Sequence, residues 1–201
     1  MGGAAERPHK FFVRKRRGRT LTRVTLSHAA EIEARFATWL AEYGGIIHKI
    51  TRAYAVRDVD QADLLQEIRL QLWRSLPAFR AEAKASTWIY RVSLNTAMTW
   101  RRDAAAWTRW IEPDADVTHV PTGAATPAET ADQAEVVARL YAAIHAMADF
   151  DRALVLLLLD GLAYREIAEV TGLTENHVGV ALTRARKRLT ELLKGISHEL
   201  E

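Results

Sequence analysis

Cysteine is absent from this 201-residue chain, which excludes disulfide bonds, thiolate zinc sites and cysteine nucleophiles. Long apolar runs are also missing, because the longest one, Ala153–Leu159, is far too short to span a bilayer. Proline occurs only five times, and no segment alternates apolar and polar residues as a half-buried strand does. The basic N-terminus lacks the apolar core of a signal peptide. These absences predict a cytoplasmic, all-α protein.

The usual signatures of catalysis are missing too. The chain has no glycine-rich phosphate loop, no nucleophile-elbow pattern and no spaced carboxylates backed by histidine. Its seven histidines are scattered and form no HxxxH or HExxH motif, so we expect no metal and no cofactor. The sequence therefore predicts a binding protein, not an enzyme, and no small-molecule substrate.

Charge is strongly segregated along the chain, although the formal net charge is only +3. Residues 1–25 carry +7, residues 26–110 carry +3, residues 111–135 carry −6 and residues 136–201 carry −1, which sum to +3. We interpret residues 1–26 as a basic, disordered tail that could attract phosphate without sequence preference. Residues 111–134 are acidic, contain three prolines and lack apolar periodicity, which is typical of a flexible linker. Two folded domains remain, at residues 27–110 and 135–196.

The first of these domains has helical periodicity throughout. Ser27 is a candidate helix cap, and Gly44–Gly45 is expected to break or bend the helix that follows. A second helix, in ADLLQEIRLQLWRSLPAF, separates apolar from polar side chains; the two sets are Leu64, Leu65, Ile68 and Leu72, and Asp63, Gln66, Glu67, Arg69 and Gln71. A third helix, in TWIYRVSLNTAMTWRR, begins at a cap at Ser86 or Thr87 and mixes aromatic rings with arginines. The second helix indicates a protein-facing surface and the third a surface that faces nucleic acid.

The second domain carries a helix-turn-helix pattern in AYREIAEVTGLTENHVGVALTRARKRLTELL. Gly172 permits the left-handed turn between two helices, Leu173 fills the space beneath it, and Thr174 is the cap of the second helix. The apolar side of that helix is Val178, Leu182, Ala185 and Leu189. The opposite side offers Asn176, His177, Arg184, Arg186, Lys187 and Arg188, side chains that pair with base edges and phosphates.

Both surfaces have a plainer interpretation. The helix-turn-helix could be a helical hairpin with a solvated basic face, although the RARKR sequence that follows argues against this. Aromatic side chains on a helix are more often core than base-stacking, and we expect two of Trp88, Tyr90 and Trp100 to be mostly buried. An aromatic and arginine mixture nevertheless suits an unstacked DNA strand, because rings and guanidinium planes accept any base face.

The chain resembles an RNA polymerase sigma factor of the extracytoplasmic-function group of the sigma-70 family. The resemblance covers roughly residues 30–195 and rests on three motifs in this order: ADLLQEIRLQLWRSLPAF, STWIYRVSLNTAMTWRR and LAYREIAEVTGLTENHVGVALTRARKRL. It implies that residues 27–110 bind core polymerase and the minus-ten element, and that residues 135–196 bind the minus-thirty-five element. Such a protein directs transcription initiation, while nucleotidyl transfer belongs to the polymerase.

The resemblance also implies roles for individual residues. By this resemblance, Asp63, Gln66, Glu67 and Gln71 bind the coiled coil of the polymerase β′ subunit. The resemblance implies that one base of the minus-ten strand is flipped from the stack. It places Phe79, Lys84, Trp88 and Asn95 near that strand, and Arg91, Arg101 and Arg102 on its phosphates. The minus-thirty-five element falls to Asn176, His177, Val180, Arg184, Arg186, Lys187 and Arg188.

Three positions depart from the family pattern. Thr99 stands where members often have an acid, and Val180 and Ala181 stand where the recognition helix usually has a polar residue and an arginine. These departures put the promoter sequence in question more than the resemblance. Members of the group are often held by a membrane-linked anti-sigma factor, so the implied partners are core RNA polymerase, promoter DNA and such a factor. Two rival hypotheses remain: a stand-alone helix-turn-helix transcriptional regulator, and a helical interaction module that does not bind DNA.

Overall fold

The computed structural model describes residues 23–111 and 131–198, so most of the predicted tail and linker lies outside the described residues. The helices within these ranges are α1 (Arg23–Tyr54), α2 (Asp58–Ser75), α3 (Ala85–Ile111), α4 (Ala131–His145), α5 (Asp149–Leu159), α6 (Tyr164–Thr171) and α7 (Glu175–His198), with a 3₁₀ turn at Leu76–Ala78. The described residues contain no strand, and the all-α prediction is confirmed. None of the described helices is both long enough and apolar enough to cross a membrane.

Helices α1, α2 and α3 pack together as the first domain. Their shared core comes from apolar side chains at three- and four-residue spacing, because that spacing places them on one side of each helix. The core residues are Ile47, Ile50 and Ala53 of α1, Leu64, Ile68 and Leu72 of α2, and Ile89, Leu94 and Ala97 of α3. The predicted apolar side of α2 is thus confirmed, with Leu65 half-buried beside it.

Three predictions about helix ends are wrong. Helix α1 begins at Arg23, so Ser27 lies inside it and is not its cap. The same helix continues through Gly44–Gly45, so the predicted break is wrong, because the neighbouring turns and the packed face beyond them hold the helix. The alternative of a bend stays a prediction. Helix α3 begins at Ala85, which places Ser86 and Thr87 in its first turn, and the Thr87 side chain is buried.

The second domain contains the helix-turn-helix. Gly172 ends α6 at φ 76°, in the left-handed region that glycine enters without steric cost. The Thr174 hydroxyl accepts a hydrogen bond of 3.3 Å from the His177 amide and so caps α7, as predicted. The predicted apolar side of α7 is buried at Val178, Leu182 and Ala185.

The two domains share one continuous core, which the sequence did not indicate. Helix α6 packs against α3, and α4 and α5 pack against α1. At the centre of the contact lies Arg152 of α5, whose side chain is only 1% exposed. Its guanidinium donates hydrogen bonds of 2.7–3.0 Å to four carbonyl oxygens: those of Ala53, at the end of α1, and of Ile144, His145 and Met147, at and just past the end of α4.

Candidate nucleic-acid interface

The polar side of α2 is an open surface. Asp63 and Gln66 are exposed, and Gln71 donates a hydrogen bond of 2.7 Å to the half-buried Glu67 carboxylate. All four side chains proposed for polymerase docking therefore lie on the outer side of one helix. Asp63 and Glu67 place two carboxylates on the N-terminal half of this side, where they can pair with basic groups of a partner, while Arg74 is exposed near its C-terminal end.

Two exposed apolar side chains extend this polar surface. Leu70 is 37% exposed and Trp73 is 40% exposed, at helical positions that continue the line from Asp63 and Gln66. The Trp73 ring meets Phe36 of α1 edge-on, with 5.1 Å between the ring centroids. An exposed tryptophan beside a leucine on an acidic face is typical of the anchor of a protein interface. A signal was present in the sequence, because both residues fall outside the apolar period of α2.

The aromatic residues of the minus-ten prediction lie in one cluster. Phe79, Trp88 and Trp39 of α1 contact one another at centroid distances of 4.9–5.6 Å with tilted or edge-on rings. Trp39 and Trp88 line an apolar pocket, and the loop after Phe79 holds Ala81 at φ 56° in the left-handed region. These rings are therefore partly core, in agreement with the structural role expected for aromatic residues here. Tyr90 is buried, whereas Trp88 and Trp100 are half-buried.

A basic face runs along α3. Lys84, Arg91, Asn95 and Arg102 follow one another at seven, four and seven residues, which aligns them on one side of the helix. Asn95 is exposed, and Arg102 lies 3.8 Å from Asp103 at the surface. Four of the seven residues predicted to touch the minus-ten strand thus form a line. Phe79 and Trp88 lie in the aromatic cluster instead, and Arg101 lies about 100° away from the line around α3.

Three basic side chains of this region contact the second domain. The Lys84 Nζ donates to the Glu166 carboxylate at 2.8 Å, the Arg91 guanidinium donates to the Glu169 carbonyl, and Arg101 lies 3.2 Å from Asp149. The hydrogen bond from Lys84 lowers the pKa of the Glu166 carboxyl below its ordinary value, and the same bond raises the pKa of Lys84. Two carboxylates and one backbone carbonyl of the second domain thus bind three of the basic side chains that were predicted to contact the minus-ten strand.

The recognition face of α7 is open. Its predicted DNA-binding residues are all exposed: Asn176, His177, Val180, Arg184, Arg186, Lys187 and Arg188. At about 100° per residue, six of them share one side of α7, while Arg186 lies on the flank between this side and the core. A helix with an exposed side of this composition fits the major groove, where amides and guanidinium groups pair with base edges.

The three residues that depart from the family pattern differ in how far they are buried. Ala181 is only 4% exposed and belongs to the core, so it cannot contact DNA, and the doubt raised by this position is removed. Val180 is 63% exposed, in the middle of the recognition face. Thr99 is exposed on α3. Sequence alone could not assign Ala181, because alanine fits both a core and a surface.

Two family models match the chain in the order of its domains. Sigma-70 region 2 matches residues 39–108, and Sigma-70, region 4 matches residues 138–189, which together span more than half of the chain. The RNA polymerase sigma-H factor of Pseudomonas aeruginosa is 29% identical over 72% of this chain and 79% of its own length. The ECF RNA polymerase sigma-E factor of Haemophilus influenzae is 28% identical over 77% of this chain and 85% of its own length.

The chain is a sigma factor of the extracytoplasmic-function group.

Two solved structures share the fold of this sigma factor. The sigma factor RpoE of Bartonella quintana, in complex with the anti-sigma factor NepR, covers 80% of this chain and 97% of its own, with a TM-score of 0.60 and 20% identity. CnrH, in complex with the cytosolic domain of CnrY, covers 83% and 95%, with a TM-score of 0.56 and 21% identity. Both likenesses confirm the two-domain helical architecture.

As a member of this group, the sigma factor directs promoter-specific transcription initiation. The two rival hypotheses, a stand-alone regulator and an interaction module that does not bind DNA, do not account for a region 2 match followed by a region 4 match.

Proposed function

We propose that this sigma factor works in the cytoplasm through three surfaces: α2 docks on core RNA polymerase, α3 holds the melted minus-ten strand, and α7 reads the minus-thirty-five element. The observation that carries this proposal is the order of the surfaces. An acidic and apolar face, a basic face and an exposed recognition helix follow one another within the two matched regions. In this division of labour the polymerase supplies the chemistry, and the sigma factor supplies position and sequence choice. Sigma factors are regulators without enzymatic activity of their own.

Docking falls on the α2 face, with the coiled coil of the polymerase β′ subunit as its partner. Asp63, Gln66, Glu67 and Gln71 supply the polar contacts, and Leu70 with Trp73 supply an apolar centre that excludes water from them. Carboxylates at the edge of such an interface speed and orient the encounter with a basic partner. This assignment adds two anchor residues to the four that the sequence suggested.

Promoter melting falls on α3 and the loop before it. Arg91, Arg101 and Arg102 neutralise phosphates, while Lys84 and Asn95 lie near the bases of the non-template strand. Phe79 and Trp88 form the apolar wall against which an unstacked base can rest, with Trp39 supporting both rings. A flipped base costs a few kcal/mol, which favours sequences that unstack easily.

Recognition of the minus-thirty-five element falls on the exposed side of α7. The N-terminal residues Asn176, His177 and Val180 reach base edges, because a recognition helix enters the major groove by its first turns. The basic side chains Arg184, Arg186, Lys187 and Arg188 fix the register on phosphates.

The proposal also includes a regulatory partner. The related RpoE and CnrH structures are complexes with the anti-sigma factor NepR and with CnrY. We assign to this chain a partner of the same kind, a protein that binds the sigma factor and withholds it from core polymerase. We propose that the chain is divided into a tail at residues 1–26, a domain at 27–110, a linker at 111–134 and a domain at 135–196.

A run-off transcription assay with core RNA polymerase tests the function. Addition of the sigma factor is expected to produce discrete transcripts from a subset of genomic templates. The absence of promoter-dependent initiation on every template would refute the proposal. Mapping transcript starts after overexpression gives the promoter elements at the same time.

Charge reversal tests the docking surface. The Asp63→Lys/Glu67→Lys variant is expected to lose about tenfold or more in core affinity in a pull-down, because two carboxylates at the interface change sign. The matched control is Glu135→Lys/Glu191→Lys, which changes the net charge equally at exposed positions of the second domain. Equal core binding by the two variants would contradict the α2 assignment.

A further inference from the structure

Helix α1 begins well before the part of the chain that matches the sigma-70 family. The region 2 match starts at residue 39, whereas α1 starts at Arg23 and continues as a helix to Tyr54. At 1.5 Å per residue, the additional part of the helix, residues 23–38, is about 24 Å long. We call this part the α1 extension. The fold that the chain shares with its family does not account for it.

The α1 extension starts at the aromatic cluster of the proposed minus-ten surface. Trp39 follows the extension directly and contacts the rings of Phe79 and Trp88 at centroid distances of 4.9 and 5.6 Å. Phe36, inside the extension, meets the Trp73 ring of α2 at 5.1 Å, so the base of the extension is packed. The extension therefore leads away from a fixed point beside the rings that are proposed to hold a flipped base.

The opposite end of α1 contacts the second domain. The Tyr54 hydroxyl donates to the Asp149 carbonyl at 2.6 Å, and the Ala53 carbonyl accepts a hydrogen bond of 3.0 Å from Arg152. Because one helix joins these two ends, the α1 extension points away from the second domain and from its recognition helix. A group attached to the first residue of α1 is thus carried past the minus-ten surface, on the side away from the minus-thirty-five surface.

The residues attached to the α1 extension are strongly basic. Residues 1–25 contain eight Lys/Arg and one acid, Glu6, and no acid occurs between residues 7 and 30. Residues 14–19 are all basic except Gly18, and all but one of these bases are arginine. Arginine pairs with a phosphate through two parallel N–H donors. Since a strand of duplex DNA presents a phosphate about every 3.4 Å, this short segment can bind several of them.

Promoter DNA is the partner that the position of this basic segment favours. The proposed minus-ten surface, at the base of the α1 extension, already holds a phosphate backbone, and a second binding element on the same molecule acts at an effective concentration set by its reach. From residue 29 onward, the charged side chains of the extension are Glu31, Glu33 and Arg35, all exposed. The helix therefore supplies the distance, and the residues before it supply the positive charge.

We infer that the α1 extension is a spacer, and that the basic residues before it bind phosphates of promoter DNA next to the minus-ten element, on the side away from the minus-thirty-five element. This inference rests on the proposed function, since it takes the aromatic cluster as the place where the melted strand is held. The contact stabilises the promoter complex without reading its sequence. Its contribution decreases steeply with salt, because phosphate binding releases counterions.

The salt dependence of promoter binding measures this contact. Holoenzyme made from core RNA polymerase and the full-length sigma factor is bound, at several salt concentrations, to a promoter found in the run-off assay. Arg16→Gln/Arg17→Gln should make the slope of log affinity against log salt less steep by about 1.4–1.8, since each phosphate contact contributes about 0.7 on single strands and about 0.9 on duplex DNA. A chain that begins at residue 23 should show a larger change. The control, Arg57→Gln/Lys194→Gln, removes two exposed bases outside every proposed DNA surface and should match the wild type.

Cleavage by a tethered reagent measures the position of the contact. Because the chain has no cysteine, an iron–EDTA reagent can be attached at Ala30→Cys in the α1 extension or at Glu82→Cys in the loop before α3, both exposed positions. Radicals from Glu82→Cys should cut within the minus-ten element, and those from Ala30→Cys should cut beside it, on the side away from the minus-thirty-five element. Adding Ala34→Pro breaks the helix between the reagent and the aromatic cluster. This change should spread the cuts of the Ala30→Cys chain without reducing the salt slope, because no charge is altered.

An unchanged salt slope in both the Arg16→Gln/Arg17→Gln variant and the shortened chain would overturn the inference. Tighter promoter binding by the shortened chain would overturn it too, because the basic segment would then be occupied within the protein. Cuts from Ala30→Cys on the minus-thirty-five side, or no cuts at all, would also overturn it.

A lipid surface is the competing partner for a basic segment of this kind. Vesicles of equimolar phosphatidylcholine and phosphatidylserine test it: binding that requires Arg16 and Arg17, together with an unchanged salt slope on DNA, would overturn the inference in favour of a membrane. Run-off transcription by the wild-type protein separates the two kinds of failure. Transcripts with no change in salt slope refute this inference alone, whereas the absence of promoter-dependent transcripts refutes the proposed function.

Discussion

The buried guanidinium of Arg152 is stabilised by groups that replace its hydration. Removing a guanidinium from water is costly unless other groups replace its hydration. Here the ends of α1 and α4 supply carbonyl oxygens, and the C-terminal end of a helix carries partial negative charge. The Tyr54 ring adds a face 4.9 Å from the guanidinium carbon. One side chain thereby satisfies carbonyls that two helix ends would otherwise bury without partners.

His145 makes the same contact sensitive to pH. Its Nε2 donates to the Arg52 carbonyl at 2.7 Å, and in the described part of the chain its buried Nδ1 has no hydrogen-bond partner. Burial lowers the pKa of His145 below its ordinary value of 6.5; the charges of Arg101 and Arg52 lower it further, while the bond to the Arg52 carbonyl opposes the shift. The unfolded chain thus takes up this proton first, and stability falls as pH drops below 6.5 toward the folded-state pKa.

The His145→Gln variant is expected to keep the hydrogen bond to Arg52 and to lose this part of the pH dependence. Urea unfolding at about pH 7.5 and about pH 5.5 measures the difference, which should be larger for the wild type than for the variant. His177→Gln is the control, since that imidazole is exposed on α7. An equal loss of stability on acidification in wild type and His145→Gln would exclude this role.

Val180 is expected to read a base. It is an exposed aliphatic side chain among amide, imidazole and basic groups, and such a side chain in the major groove contacts the thymine methyl group. Val180→Gln should shift one position of the preferred minus-thirty-five sequence from thymine toward adenine, with discrimination of about 1–3 kcal/mol. Selection of bound sequences from a randomised duplex library measures this change in base preference. Val136→Gln on α4, at 66% exposure, is the control, and the same preference in all three proteins would contradict the assignment.

At the scale of elements, replacing either of two glycines by alanine is expected to change the stability of the protein in opposite directions, because their backbone conformations differ. Gly45 lies inside α1 with nothing within 4 Å of an added Cβ, so Gly45→Ala should stabilise by about 0.5–1 kcal/mol. Gly172 is equally uncrowded, but its φ of 76° makes Gly172→Ala cost about 1–2 kcal/mol. Thermal unfolding of the two variants checks both signs. A destabilising Gly45→Ala would mean that α1 bends at this position in solution.

Features that leave a local pattern in the sequence could be predicted, whereas features that depend on packing between helices could not. The apolar sides of α2 and α7 were correct because burial of one helix face leaves a periodic pattern in the sequence. The turn at Gly172 and the cap at Thr174 were correct for the same local reason. The predicted break at Gly44–Gly45 was wrong, since glycine weakens a helix by less than the packing of α1 against α2 and α3 stabilises it.

At the scale of the molecule, the contact between the two domains could not be predicted from the sequence. Lys84 and Glu166 are 82 residues apart, and neither stands out in its own segment. Arg152 carried a faint signal, as a lone base in an apolar helix, but its four acceptors come from helix ends that only the fold brings together. Charge segregation suggested separate domains with separate surfaces, whereas the folded chain brings these surfaces into contact.

Cooperative unfolding measures how strongly the domains are joined. The continuous core and the Arg152 contacts predict one calorimetric transition for the wild type, with equal calorimetric and van't Hoff enthalpies. Arg152→Met leaves buried carbonyls without donors and should cost about 3–5 kcal/mol and split the transition in two, because the link between the domains is lost. Arg69→Met, at an exposed position of α2, should stay within about 0.5 kcal/mol of the wild type. Two transitions already present in the wild type would mean that the domains unfold independently, and that the contact between them is held by its surface pairs alone.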